Sequence, residues 1–164
     1  MILQAPEPLS SLHGLAEFDS GVASLDDWLR RRALANQASG ASRTYVLCED
    51  MTARGYYALA SSGVSAAAAP GRFRRNMPDP IPVIVLGRFA IDRRLQKQGL
   101  GRALFRDAAF RVAQAADIIG VRGVLVHAIS EEDRAFYEAI GFDPSPLEPM
   151  TLMISMADLH AALA

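Results

Sequence analysis

The spacing of apolar residues along the chain predicts most of its elements. "ILQAP" (Ile2–Pro6) reads as a short first strand. Leu25, Trp28 and Leu29 then recur at helical spacing, and Ser24 with Asp27 has the form of a capping box. A helix is therefore predicted from Ser24 to near Asn36 or Gly40. "RTYVLCE" and "GYYALASSGV" alternate as strands joined by "DMTAR", a hairpin signal. Residues 65–81 hold an alanine run, three arginines and three prolines, and read as a loop or irregular helix. "VIVLGRFAI" (Val83–Ile91) is a strongly apolar strand, followed by a glycine run and a helix over about Gly99–Ala116. "VRGVLVHAI" is a second apolar strand. Ser130 and Asp133 then cap a short helix carrying "AFYEAIGF", which Gly141 ends. "MTLMISM" and "ADLHAALA" close the chain as strand and helix. This order predicts an α/β (α+β) protein in which Val83–Ile91 and Val121–Ile129 are parallel neighbours. No repeat or linker divides it, so residues 1–164 are expected to form one domain.

Composition narrows the class. With 164 residues, 51% of them hydrophobic, the chain can bury a substantial core. No apolar run reaches the roughly 18 residues of a membrane span. "MILQAPEPLSSLHG" lacks the basic and apolar regions of a signal peptide, and the expectation is a cytoplasmic protein away from membranes. The single cysteine, Cys48, excludes an internal disulfide and a cysteine-built zinc site. Three scattered histidines offer no metal spacing, so no metal is expected.

Net charge is −1, but it is segregated: residues 1–71 carry −2, residues 72–111 carry +7, and residues 112–164 carry −6. A basic middle can present an anion-binding face on a near-neutral protein. Sixteen of the seventeen basic residues are arginine, a geometry that suits phosphate, although the codon usage of a GC-rich genome would give the same excess.

The glycine run "QKQGLGRALFRD" follows the apolar strand and opens a helix, where backbone N–H groups and the helix dipole favour an anion. It is not a P-loop. It also fails as a dinucleotide fingerprint, because Leu104 stands at the third glycine position and Val121 stands about 20 residues on, where an acid should bind ribose. Gln96-Lys97-Gln98-Gly99-Leu100-Gly101 does meet the acyl-coenzyme A pattern [RQ]-x-x-G-x-[GA].

On these residues the chain resembles the GNAT acetyltransferase superfamily. It further resembles the toxin branch of that family, found in bacterial toxin–antitoxin pairs. The likeness is carried by "FDSGVASLDDWLRRRALANQASGASRTYV", "LGRFAIDRRLQKQGLGRALFRDA" and "AFYEAIGFDPSP". The resemblance implies a GNAT fold, a mixed, splayed central sheet flanked by helices, and acetyl-coenzyme A as co-substrate. It implies that Phe89, Ala90 and Ile91 offer backbone groups to the pantetheine arm, and that Gln96, Gly99, Leu100, Gly101 and Arg102 surround the pyrophosphate. Arg93 and Arg94 are either phosphate contacts or exposed turn residues. Tyr137 falls at the family's general-acid position; a phenol of ordinary pKa near 10 is neutral at pH 7 and can donate to a departing thiolate. Adjacent Phe136 and Tyr137 cannot share a helix face, so Phe136 is expected to pack while Tyr137 faces the site. His127 is read as a satisfied core residue, with proton acceptor as the alternative.

Members of the toxin branch acetylate the amino group of the amino acid on charged tRNA and so stop translation. They are usually dimers, restrained by a small DNA-binding antitoxin, here expected to be of ribbon–helix–helix type. An α-amino group, of pKa about 7.7–8.0, is partly free at neutral pH and needs no strong base. For tRNA phosphates the candidates are Arg30 and Arg31, beside Arg32, and Arg72, Arg74 and Arg75. Trp28 is read as core. Two other functions stay open: acetylation of a small amine or protein N-terminus, and a non-catalytic coenzyme-binding module.

Overall fold

The computed structural model describes residues 2–163. In order along the chain lie β1 (Gln4–Pro8), α1 (Ala23–Arg31), α2 (Ala33–Ser39), β2 (Arg43–Glu49), β3 (Thr52–Val64), α3 (Gly71–Arg74) and β4 (Ile81–Ile91). They are followed by α4 (Leu100–Ala116), β5 (Gly123–His127), α5 (Glu131–Ile140), β6 (Asp143–Pro144), β7 (Thr151–Ser155) and α6 (Met156–Leu163). The strands hydrogen-bond in the order β1-β2-β3-β4-β5-β7-β6. β4 and β5 are parallel, whereas β1–β2, β2–β3, β5–β7 and β6–β7 are antiparallel, so the sheet is mixed. No helix among the described residues is long and apolar enough to cross a membrane.

The chain folds as two compact units. One comprises residues up to Ala60 with Gly87–Ala108; the other comprises Ser61–Leu86 with the chain from Ala109 onward.

In the first unit, β2 and β3 form the expected hairpin. Its turn contracts to Asp50 and Met51, because Thr52, Ala53 and Arg54 join the strand. Both turn residues have positive φ, 51° and 65°, the handedness that matches strand twist. α1 buries Leu25 and Leu29 against Phe18, Val46, Tyr56 and Ala90, with Trp28 packed half-buried beside them. Burying Leu29 completely contributes roughly 2 kcal/mol of transfer free energy. The Ser24–Asp27 capping box does not form: α1 begins at Ala23 and no side chain caps it. The neighbouring carboxylate, Asp26, turns inward instead. It is 5% exposed and accepts the Ser20 N–H at 3.0 Å and the Ser20 hydroxyl at 2.6 Å. The predicted single helix is two, broken at Arg32 (φ −120°) and ended by Gly40 at φ +84°.

In the second unit, Phe73, Ile81, Val83, Leu125 and Met153 form an apolar cluster. β4 and β5 pair in parallel as expected, over Val83–Leu86 and Gly123–Val126. Gly123 is required where β5 meets β7, since a Cβ there would lie 1.9 Å from the Ile154 carbonyl oxygen. α5 is capped as predicted, with the Ser130 hydroxyl accepting the Asp133 N–H at 3.0 Å; the Asp133 carboxylate in turn accepts the Ile129 N–H at 3.0 Å. Gly141, at φ +126°, ends it. β6 is an element the sequence pattern does not announce; Asp143 and Pro144 are too short a run to carry an alternation.

Candidate active site

β4 continues five residues beyond Leu86, the last of its residues to pair with β5 (at Val126), and these are Gly87 to Ile91. Asp92 follows and organises the turn into the glycine loop. Its side chain is wholly buried and accepts four kinds of donor: the Asp19 N–H at 3.2 Å, the Arg94 N–H at 3.0 Å, and Arg94 Nε and Nη2 at 2.9 Å each. Burial pushes the Asp92 carboxyl upward, but the Arg94 side chain, the two backbone N–H groups and the Arg94 charge outweigh it and bring it down to about 2. Arg93 donates to Asp19 Oδ1 at 2.9 Å, and its backbone N–H to the Asp19 carbonyl at 2.8 Å. Both arginines are thus exposed turn residues held in ion pairs that dock the Asp19–Val22 segment.

Gln96 completes the docking. Its amide Nε2 donates to the Ser20 and Ile91 carbonyl oxygens, each at 2.9 Å. The side-chain amide is therefore spent on the chain's own backbone, which fixes the start of the glycine loop. Its neighbours Lys97 and Gly99 have φ of +62° and +80°. Space is open around Gly99, with nothing within 4 Å of where a Cβ would lie. α4 begins at Leu100, and the first-turn N–H groups of such a helix lack intrahelical acceptors, so Leu100, Gly101 and Arg102 stand where an anion is favoured. These residues fit a diphosphate chemically: open glycine backbone, a helix start and an exposed arginine, Arg102. Phe89, Ala90 and Ile91 form the strand end that leads into this turn.

In the second unit, Tyr137 is the buried member of the α5 aromatic pair. It is 3% exposed, while Phe136 is half-buried. Tyr137 is the more enclosed of the two, because Phe136 and Phe142 both pack on its ring, with centroids 5.3 Å away in each case. Burial, and secondarily the Asp133 charge, raise the Tyr137 phenol far above its ordinary value, so it stays protonated. His127 is exposed rather than core, with Nδ1 3.0 Å from Thr151 Oγ1.

The acetyltransferase (GNAT) family model matches residues 16–142. The chain belongs to the GNAT family. It is 53% identical over 159 residues to the tRNA-acetylating toxin of Mycobacterium tuberculosis (strain ATCC 25618 / H37Rv), covering 97% of this chain and 96% of that one. AtaT complexed with acetyl-methionyl-tRNAfMet superposes with a TM-score of 0.90 at 29% identity, covering 99% of this chain and 100% of AtaT. An AtaT variant with one tyrosine replaced by phenylalanine, bound to the C-terminus of the antitoxin AtaR and acetyl-CoA, gives 0.83 at 28% identity, covering 98% and 97%.

Among the arginines proposed for nucleic acid in this GNAT chain, Arg31, Arg74 and Arg75 are exposed and carry no ion pair among the described residues. Arg30 is tied down, donating to the Phe18 carbonyl at 2.8 Å and to Asp27 at 3.3 Å. Arg72 is paired with Asp143 at 2.7 Å and Asp158 at 3.7 Å, beside a cavity of about 240 Å³. The sequence reading missed Asp92, Ser20 and Asp26. Asp92 had a visible signal, a lone acid between an apolar strand and a basic run. Ser20 and Asp26 had none, because their pairing depends on how the chain turns before α1.

Proposed function

We propose that this GNAT protein transfers the acetyl group of acetyl-coenzyme A to the amino group of the aminoacyl moiety of charged tRNA, blocking translation. The observation that carries this is the 53% identity, along nearly the whole chain, to a tRNA-acetylating toxin. The glycine loop at the start of α4 supports the cofactor. In this reading Leu100, Gly101 and Arg102 hold the pyrophosphate with the backbone of Gly99, and Phe89–Ile91 receive the pantetheine arm. Gln96 acts one step back, as the residue that positions the loop.

The amine attacks the thioester carbonyl; the C–N bond forms, the C–S bond breaks, the thiolate takes up a proton, and the nitrogen gives one up to water, from which the donor is reprotonated. Tyr137 is the proposed donor. Its raised pKa keeps the phenol in the donating form across the working range, and no strong base is required because the acceptor amine is partly free near pH 7.5. We read the chain as one catalytic domain. We also propose that it works in the cytoplasm as a homodimer and is restrained by an antitoxin of ribbon–helix–helix type, following its resemblance to the toxin branch.

Mass spectrometry of total charged tRNA, after incubation with enzyme and acetyl-coenzyme A, tests the reading. Acetyl-aminoacyl-adenosine should appear in the nuclease digest. Its absence, with acetylation of free amines or protein N-termini instead, would replace tRNA as the acceptor.

A further inference from the structure

Arg88 lies on β4 immediately before Phe89–Ile91. Its guanidinium carbon stands 5.3 Å from the centre of the Trp28 ring. Trp28 is stacked in turn on Tyr56, with centroids 6.0 Å apart and planes 8° from parallel. Tyr56 is fixed: it is fully buried, its hydroxyl donates to the Leu25 carbonyl at 2.7 Å, and Phe18 meets its ring edge-on at 5.6 Å. One buried ring thus supports a second, and the second carries a guanidinium.

An exposed arginine held this way gives up side-chain freedom of up to about 2 kcal/mol, against a cation–π attraction of about 0.5–1 kcal/mol. The remaining polar contact, Nη1 to the Gly87 carbonyl at 3.4 Å, is weak. No carboxylate pairs with Arg88 among the described residues, unlike Arg30, Arg72, Arg93 and Arg94. The ring orients the charge without neutralising it, and the only hydrogen bond the guanidinium makes among the described residues is the weak one to Gly87, which leaves N–H donors for another partner.

That partner is an anion, and the coenzyme does not supply it. Its pyrophosphate is assigned to residues 99–102, beyond Asp92, and the four strand steps from Arg88 to Asp92 span roughly 13 Å; its 3′-phosphate sits on the adenosine, on the far side of the pyrophosphate from the thioester. The pantetheine arm assigned to Phe89–Ile91 is uncharged. A small amine or protein N-terminus brings no obligatory anion beside its amino group, whereas an aminoacyl ester on a 3′-terminal ribose carries a phosphodiester on the same nucleotide.

We propose that Arg88, set in place by Trp28 and Tyr56, binds a backbone phosphate of the 3′-terminal nucleotides of charged tRNA and so aims the aminoacyl group at the thioester. This rests on the tRNA reading above. Steady-state kinetics of wild type, Arg88→Met and Arg88→Lys test it, using charged tRNA and a charged minihelix of acceptor stem and CCA end, each over a salt series. Arg88→Met should raise KM for both RNAs about tenfold and reduce the salt slope by about one, leaving KM for acetyl-coenzyme A within about twofold; Arg88→Lys should recover part of the loss. An unchanged RNA KM overturns the proposal. So does a rise confined to acetyl-coenzyme A, or a loss seen with full tRNA but not with the minihelix. A wild-type enzyme that leaves charged tRNA unacetylated overturns the functional reading itself, whereas an active wild type indistinguishable from Arg88→Met overturns this inference alone.

Discussion

Arg94 grips Asp92 through both carboxylate oxygens, Nε on Oδ1 and Nη2 on Oδ2, each at 2.9 Å. The carboxylate side of this pair is fully buried, and the arginine side is half open to water. Asp92→Asn would keep the shape but lose the charge, at a cost of about 1–2 kcal/mol, given the screening at Arg94. The folded-state pKa of Asp92 lies below its ordinary 3.8, so its stabilisation is in place above that pH and drains away as pH falls toward about 2. Urea unfolding from pH 6 to pH 2 should show wild type ahead of Asp92→Asn at the upper end, with the gap closing through this window. A constant gap would mean that charge is not what Asp92 contributes.

Gln96 should matter for coenzyme binding without touching it. Gln96→Met leaves the Ser20 and Ile91 carbonyls unanswered, and Gln96→Glu sets a carboxylate against them. Both should raise KM for acetyl-coenzyme A about tenfold with kcat nearly constant. Calorimetric titration with coenzyme A reads the same loss directly. Unaltered affinity in both variants would remove the loop-positioning role.

Tyr137→Phe should lower kcat by about a hundredfold or more while coenzyme binding is retained. Burial keeps the phenol protonated well beyond pH 10. On a hydrolysis-resistant 3′-amide analogue of charged tRNA, kcat/KM should therefore rise through the amine pKa near 8 and then stay level to pH 10. A descending limb near pH 10 would identify an ordinary, solvated phenol instead.

Two glycine exchanges should act in opposite directions on stability. Gly123→Ala drives a methyl into the Ile154 carbonyl and should cost roughly 3 kcal/mol. Met51→Gly relieves a bulky residue at φ 65° in the two-residue turn and should add about 0.5–1 kcal/mol. Thermal melts of the two variants, set beside wild type, measure both.

The strands, the glycine loop and the α5 cap were legible because each is written in neighbouring residues. Ser130 and Asp133 lie three apart, and Gln96 to Gly101 are contiguous. The scaffold around the loop was not legible. Asp92 meets Asp19 across 73 positions and Gln96 meets Ser20 across 76, and no periodicity links them. Adjacent aromatics posed another limit: helical spacing shows that Phe136 and Tyr137 diverge, but Phe142, beyond the helix end, decides which is enclosed. Charge counting also overstated the free arginines. It located the basic segment, yet Arg72, Arg93 and Arg94 are each held by an acid of their own chain.

The double donation by Gln96 amounts to a spelling rule. A position that must answer two main-chain oxygens admits only side chains with two convergent N–H donors and enough reach. Glutamine meets this with one planar NH2 group; asparagine is too short, and glutamate brings no donor when ionised. In this protein the residue at the head of the acyl-coenzyme A pattern is thus fitted to its own backbone, two carbonyls that lie 76 and 5 positions away in the chain.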